Sequence, residues 1–141
     1  MVDLWSKFRL NVCNNLPQAI LGAGVGCYRD SEHMRIISDA LKSELEAVAT
    51  AKGIDLSLAE RPSVHGSAVP PSARYSTLQD LDSGRHTEID MFSGALVRMG
   101  RELGIPMPYN EFAYHMIKAL EEKNDGLFDY EGRENERTCA R

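Results

Sequence analysis

Cysteine is scarce in this chain. Cys13, Cys27 and Cys139 share no C-x-x-C spacing, and bridging two of them would leave one over. A disulfide scaffold is therefore excluded, and a reducing compartment is the expected setting. Long apolar runs are missing as well. No stretch approaches the ~20 apolar residues of a membrane span, and Asn11, Asn14 and Asn15 interrupt any leader-like apolar core near the N-terminus. Positive charge is also thin. With 16 Lys and Arg against 21 Asp and Glu, the net charge is −5 and no three basic residues adjoin, so a nucleic-acid face is not expected. The histidines His33, His65, His86 and His115 lack ligand spacing with each other or with cysteine, so no metal site is expected. A soluble, cytoplasmic protein is the reading that these absences leave.

What is present is helical periodicity. At 141 residues the chain fits one domain with a real core, since roughly two thirds of the unfolded surface can be buried at this size. No strand signal stands out. Five helical segments do, and the predicted architecture is an all-α bundle of five to six helices. The first spans about 4–16, with Leu4, Trp5, Phe8 and Val12 facing inward and a break or kink at Pro17. The second opens on Asp30 or Ser31, carries Met34, Ile37, Leu41, Leu45 and Val48 as its stripe, and stops at Gly53. Residues 56–71, punctuated by Pro62, Gly66, Pro70 and Pro71, read as a loop with room for one short helix. A third helix covers about 73–81. A fourth opens on Thr87 with Asp90 as a shortened capping box, buries Ile89, Phe92, Leu96, Met99 and Leu103, and ends at Gly104. The fifth starts near Asn110 with Phe112, Met116, Ile117 and Leu120. The helical domain is thus assigned to 1–122, and 123–141 to a charged tail expected to be mobile.

Two polar clusters interrupt this pattern. Lys7, Asn11 and Asn15 are spaced by four on the first helix, which confines them to an arc of about 80° on one face. An ammonium beside two amides can hold a small, oxygen-rich anion. By spacing alone the set also fits a solvated face with an incidental lysine. The second cluster runs through Ser76-Thr77-Leu78-Gln79-Asp80 and Arg85-His86-Thr87-Glu88-Ile89-Asp90. Its plainer reading is a helix cap at Thr87 with a first-turn acid at Glu88.

Taken together, the two clusters resemble the signatures of the ketopantoate reductase (2-dehydropantoate 2-reductase) family. Leu4-Trp5-Ser6-Lys7-Phe8 with Asn11 and Asn15 matches the family pattern L-W-x-K-x-x-x-N-x-x-x-N. Ser76-Thr77-Leu78-Gln79-Asp80 and Thr87-Glu88-Ile89-Asp90 match S-M-L-Q-D and T-E-I-D. Gly94 and then Arg98-Met99-Gly100-Arg101-Glu102-Leu103-Gly104-Ile105-Pro106 follow the family's glycine-to-proline block, with Asn110-Glu111 after it. The resemblance runs from about Leu4 to Leu120. It implies the helical fold of the 6-phosphogluconate dehydrogenase C-terminal-like domain and NADPH-dependent reduction of ketopantoate to pantoate in pantothenate biosynthesis. It also implies Lys7 as general acid, Asn11, Asn15 and Ser76 as substrate contacts, and Glu88 as a residue associated with the cofactor and the lysine. The sequence departs from the family at Leu16, where a proline directly after the asparagine is usual, and at Val25 and Ser93, where asparagine is usual. Those departures leave room for a related 2-keto acid as substrate.

A dinucleotide-binding half normally precedes this region in the family. Gly22-Ala23-Gly24-Val25-Gly26-Cys27 does not supply one, because the third glycine of G-x-G-x-x-G falls on Cys27 and Pro17 sits in the would-be strand. The expectation is a substrate-binding domain that lacks its Rossmann partner, is inactive alone, and works with that partner in cis or in trans, with a homodimer left open as its assembly. A stand-alone helical binding or assembly module without reductase activity is the alternative from another function class. The coding sequence upstream of Met1 discriminates the two.

Overall fold

The computed structural model describes residues 2–56, 70–128 and 130. All regular structure among them is helical. The chain forms α1 (Val2–Arg9), a π-helical segment π1 (Leu10–Asn15) and α2 (Leu16–Leu21), stacked as one rod. There follow α3 (Cys27–Asp30), α4 (Glu32–Ala51) and α5 (Ser76–Asp82). A second π-helical segment, π2 (Asp90–Gly94), runs into α6 (Ala95–Leu103), and α7 (Pro108–Asn124) completes the bundle. Counted as rods these are six, within the expected number. The short helix expected inside 56–71 and most of the expected tail lie outside the described residues.

Of the break or kink expected at Pro17, the first rod excludes the break. Pro17 does not end it, and helix continues to Leu21. A proline inside an α-helix collides with the carbonyl four residues back, here that of Cys13. The wider π turn immediately before Pro17 opens the ladder at that point, so the rod passes through without a break. Gly22, at φ 77°, then ends it in the left-handed conformation.

The core is drawn from every rod except the short α3, which buries no residue. Trp5, Phe8, Val12 and Leu16 pack with Leu41, Leu45 and Val48 of α4, and with Leu78, Ile89, Leu96 and Ile117. Trp5 and Phe8 meet edge to face with ring centroids 5.4 Å apart. Each such buried side chain contributes about 1.5–3 kcal/mol, which is what overrides the weak propensity of isolated short helices.

Ser31, not Asp30, caps α4, its Oγ accepting the Met34 N–H at 3.2 Å. The α4 stripe is buried as expected except for Ile37, at the stripe's edge, which stays 46% exposed. On α6 the inward face fades toward the end, where Leu103 is 40% exposed. On α7 the inward residues are Asn110, Ala113, Ile117 and Glu121, and Phe112 is 65% exposed rather than buried. Polar residues displace it because α7 is docked by carboxylates. Glu44 of α4 accepts the backbone N–H groups of Tyr109 (3.0 Å) and Asn110 (2.9 Å) and the Asn110 side-chain amide (2.7 Å). It thereby caps the start of α7 from another helix. None of the described helices is long and apolar enough to cross a membrane.

Candidate functional site

Lys7 lies exposed in the last turn of α1, and Asn11 and Asn15 follow it in π1. Asn15 is 3% exposed and donates from Nδ2 to Asn11 Oδ1 at 3.0 Å. That bond links the two amides on the rod that also carries the exposed Lys7 ammonium. An ammonium with two amides suits a small ligand rich in carboxylate, keto and hydroxyl oxygens.

Ser76 is exposed at the first position of α5. The residue that docks it is one the sequence reading passed over. Gln18 of α2 is fully buried, donates Nε2 to the Ala73 carbonyl (2.9 Å) and accepts the Tyr75 N–H (2.9 Å). One side chain thus ties the asparagine-bearing rod to the segment that enters α5. A buried glutamine bonded to another segment's backbone leaves no periodic signal, so only the fold exposes it.

The glycine-rich turn completes the same junction. Val25 N–H bonds to the Ala73 carbonyl and Gly26 N–H to the Pro71 carbonyl, both at 2.9 Å. A Cβ on Gly24 would sit 2.2 Å from the Pro71 oxygen. The turn is glycine-rich because residues 71–73 press against it, which supports reading it as a turn rather than a phosphate loop.

Around Glu88 the polar residues divide in a regular way. His86 Nε2 meets Asp125 at 2.6 Å. Thr87 donates its backbone N–H (2.7 Å) and its hydroxyl (2.6 Å) to the Glu121 carboxylate, which is 3% exposed. Asp90 accepts from Tyr114 Oη (2.5 Å) and Lys118 Nζ (3.3 Å). The Tyr114 hydroxyl, with Lys118, holds the Asp90 carboxyl below the ordinary carboxylate range. The capping box expected of Thr87 and Asp90 is therefore replaced. Thr87 Oγ1 does accept the Ile89 N–H at 3.2 Å, but Glu121 takes the reciprocal role and Asp90 turns to α7. Tyr114, Lys118, Glu121 and Asp125 recur at helical spacing and hold the segment like a rail. Glu88, between the anchored residues, stays exposed.

Both α5 and π2 pack against π1, so the elements bearing Ser76 and following Glu88 meet the segment bearing Asn11 and Asn15. Among the described residues no direct hydrogen bond or ion pair joins Lys7, Ser76 and Glu88 to one another. Two buried polar atoms mark the contact of the π segments. Asn15 Oδ1 and Ser93 Oγ have no hydrogen-bond partner among the described residues. Cys13, on π1, is buried, and burial pushes its thiol up to about 12, which suits core packing and not nucleophilic attack. No cluster among the described residues could hold a metal ion.

Comparison with known proteins agrees with this geometry. Residues 1–121 match the family described as ketopantoate reductase PanE/ApbA C terminal. The chain is 35% identical over 121 residues to the 2-dehydropantoate 2-reductase of Vibrio cholerae, covering 84% of this chain and 40% of that protein. It is 30% identical over 118 residues to that of Pyrobaculum aerophilum, covering 83% and 42% respectively. The PanE/ApbA family ketopantoate reductase structure from Ralstonia eutropha superposes with a TM-score of 0.76 at 32% identity, over 87% of this chain and 42% of the other. At 22% identity and a TM-score of 0.75, over 88% of this chain and 53% of the other, D-mandelate dehydrogenase shares the fold. The chain spans about 40% of the length of the curated relatives it matches. Fold, signature residues and match over residues 1–121 agree: the chain belongs to the ketopantoate reductase C-terminal domain family.

Proposed function

We propose that this chain is the substrate-binding and catalytic helical domain of an NADPH-dependent 2-keto-acid reductase, with ketopantoate as substrate and pantoate as product. One observation carries the reading: Asn15 is bonded to Asn11 on the rod that carries the exposed Lys7 ammonium, so a cation and two linked amides share one element. A nicotinamide cofactor held by a partner domain would supply the hydride chemistry. Lys7 gives a proton to the carbonyl oxygen as negative charge builds there, which is where a cation stabilises the transition state most. Asn11 and Asn15 orient the keto and hydroxyl groups, and Ser76 meets the carboxylate. Glu88, exposed on a segment anchored on both sides, would serve the bound cofactor and Lys7.

The described residues do not themselves fit a dinucleotide. The glycine-rich turn is filled by residues 71–73, and no other glycine loop opens a helix for a pyrophosphate. A Rossmann domain, in the same chain or another, therefore supplies that site in a cytoplasmic reductase, and these residues alone do not reduce ketopantoate. The test is a fusion or mixture with a matching Rossmann half. Reduction of ketopantoate by NADPH is expected there, and Lys7→Ala should lower kcat by about 10²–10⁴-fold with melting temperature unchanged. Retained turnover in Lys7→Ala refutes the role.

A further inference from the structure

A residue outside the rod enters the helical ladder where the π turn that carries Asn11 and Asn15 ends. In an α-helix the Gln18 N–H would bond directly to the Asn14 carbonyl, four residues back. Here the Tyr28 hydroxyl stands between them. It accepts the Gln18 N–H at 3.1 Å and donates to the Asn14 carbonyl. A side chain inserted into the helical ladder is a recognised cause of local helix distortion, and π turns recur at functional sites. Pro17, which has no N–H to offer the carbonyl of Cys13, weakens the ladder at the same place. Proline opens the gap; the phenol fills it.

Tyr28 is itself fixed. It belongs to the four-residue α3, and Arg35 of α4 donates to the Tyr28 carbonyl (3.0 Å) and the Arg29 carbonyl (2.7 Å). Burial raises its phenol well above the ordinary tyrosine value, so the hydroxyl keeps its proton and remains a donor. The insertion lies one residue from Asn15, whose amide orients Asn11.

We infer that Tyr28 is a positioning residue: its hydroxyl, built into the ladder between Asn14 and Gln18, sets the π turn that aims Asn11 and Asn15 at the ligand. The inference rests on the proposed function for what the asparagines bind, though not for how they are held. Tyr28→Phe keeps the ring and removes the bridge. Gln18 N–H and Asn14 C=O must then pair with each other or lose their partner, and either shifts the asparagines relative to Lys7.

The test has two arms. In the isolated chain, nuclear magnetic resonance of Tyr28→Phe should move the side-chain amide signals of Asn11 and Asn15 and the backbone amide of Gln18, leaving the Asn110 side-chain amide in place. In the reductase assembled with a Rossmann half, KM for ketopantoate should rise on the order of tenfold, as small misplacements of orienting groups do, with kcat nearly retained. A lower melting temperature with unmoved Asn11 and Asn15 signals overturns the inference and leaves Tyr28 a packing residue. Unchanged KM in Asn11→Ala and Asn15→Ala refutes the proposed function instead, while the resonance arm still judges Tyr28. If Tyr28→Phe does not fold, the wild-type chain decides. A slowly exchanging Tyr28 hydroxyl proton close to the Gln18 amide supports the inference, and a freely exchanging one overturns it.

Discussion

Replacing Glu121 by alanine tests whether α7 anchors the Thr87–Asp90 segment. The carboxylate is 3% exposed and receives both Thr87 donors, at 2.7 and 2.6 Å, with Lys118 Nζ at 3.5 Å. Hydrogen bonds to a charged group are worth about 1.5–3 kcal/mol each. Thr87 is half-buried, so water partly replaces what it loses, and the lost packing of a buried side chain adds a little back. The net cost should be about 2–4 kcal/mol. For a domain of this size that lowers the melting temperature by roughly 10 °C. Glu121→Gln keeps an acceptor and should lose about half as much. Thermal unfolding followed by far-ultraviolet circular dichroism reads both, and a cycle with Thr87→Val isolates the pair, whose coupling should exceed about 1 kcal/mol. Amide exchange at Thr87 and Glu88 should speed up in Glu121→Ala before the rest of the helix is affected. A loss below about 0.5 kcal/mol, the range of ordinary surface changes, refutes the anchoring argument.

Three further outcomes follow from the same geometry. Glu44→Ala should destabilise the fold by about 2 kcal/mol, because the start of α7 loses its cap and the buried Asn110 amide loses the shorter of its two hydrogen bonds, keeping only the Leu41 carbonyl at 3.4 Å; denaturant titration measures it, and an unchanged midpoint counts against capping in trans. Cys13 should resist thiol-reactive reagents at mildly alkaline pH until the protein unfolds, while half-buried Cys27 reacts sooner, since burial lifts the Cys13 thiol to about 12; peptide mass mapping after brief labelling checks the order. Asp90 has a depressed folded-state pKa, so its contribution is present above the unfolded value of 3.8 and is lost as pH falls through the lower folded value. Asp90→Asn should accordingly shrink the loss of stability in that acid range, and identical acid titrations of the two proteins refute the assignment.

Much of this protein was determined by the sequence alone. Helical periodicity is local, so α4 was legible from Ser31 to Gly53, and Ile89, Phe92 and Leu96 declared the inward face of the fourth helix. The spacing of Asn11 and Asn15 foretold their contact, seen as a hydrogen bond between the two side chains, and the ordered signatures named the family. Tertiary structure decided the rest, because it depends on partners distant in the chain. Pro17 read as a break or a kink, and only the break is excluded, since a π turn and a hydroxyl from Tyr28 reopen the ladder around it. Phe112 read as core, yet α7 turns Asn110 and Glu121 inward because Glu44 and Thr87 complete their hydrogen bonds. Thr87 and Asp90 read as a self-contained cap, yet Glu121, 34 residues on, supplies the acceptor. A periodic apolar face needs only its own helix to be recognised. A buried polar group is stable only when another segment pairs with it, and that pairing exists only in the folded chain.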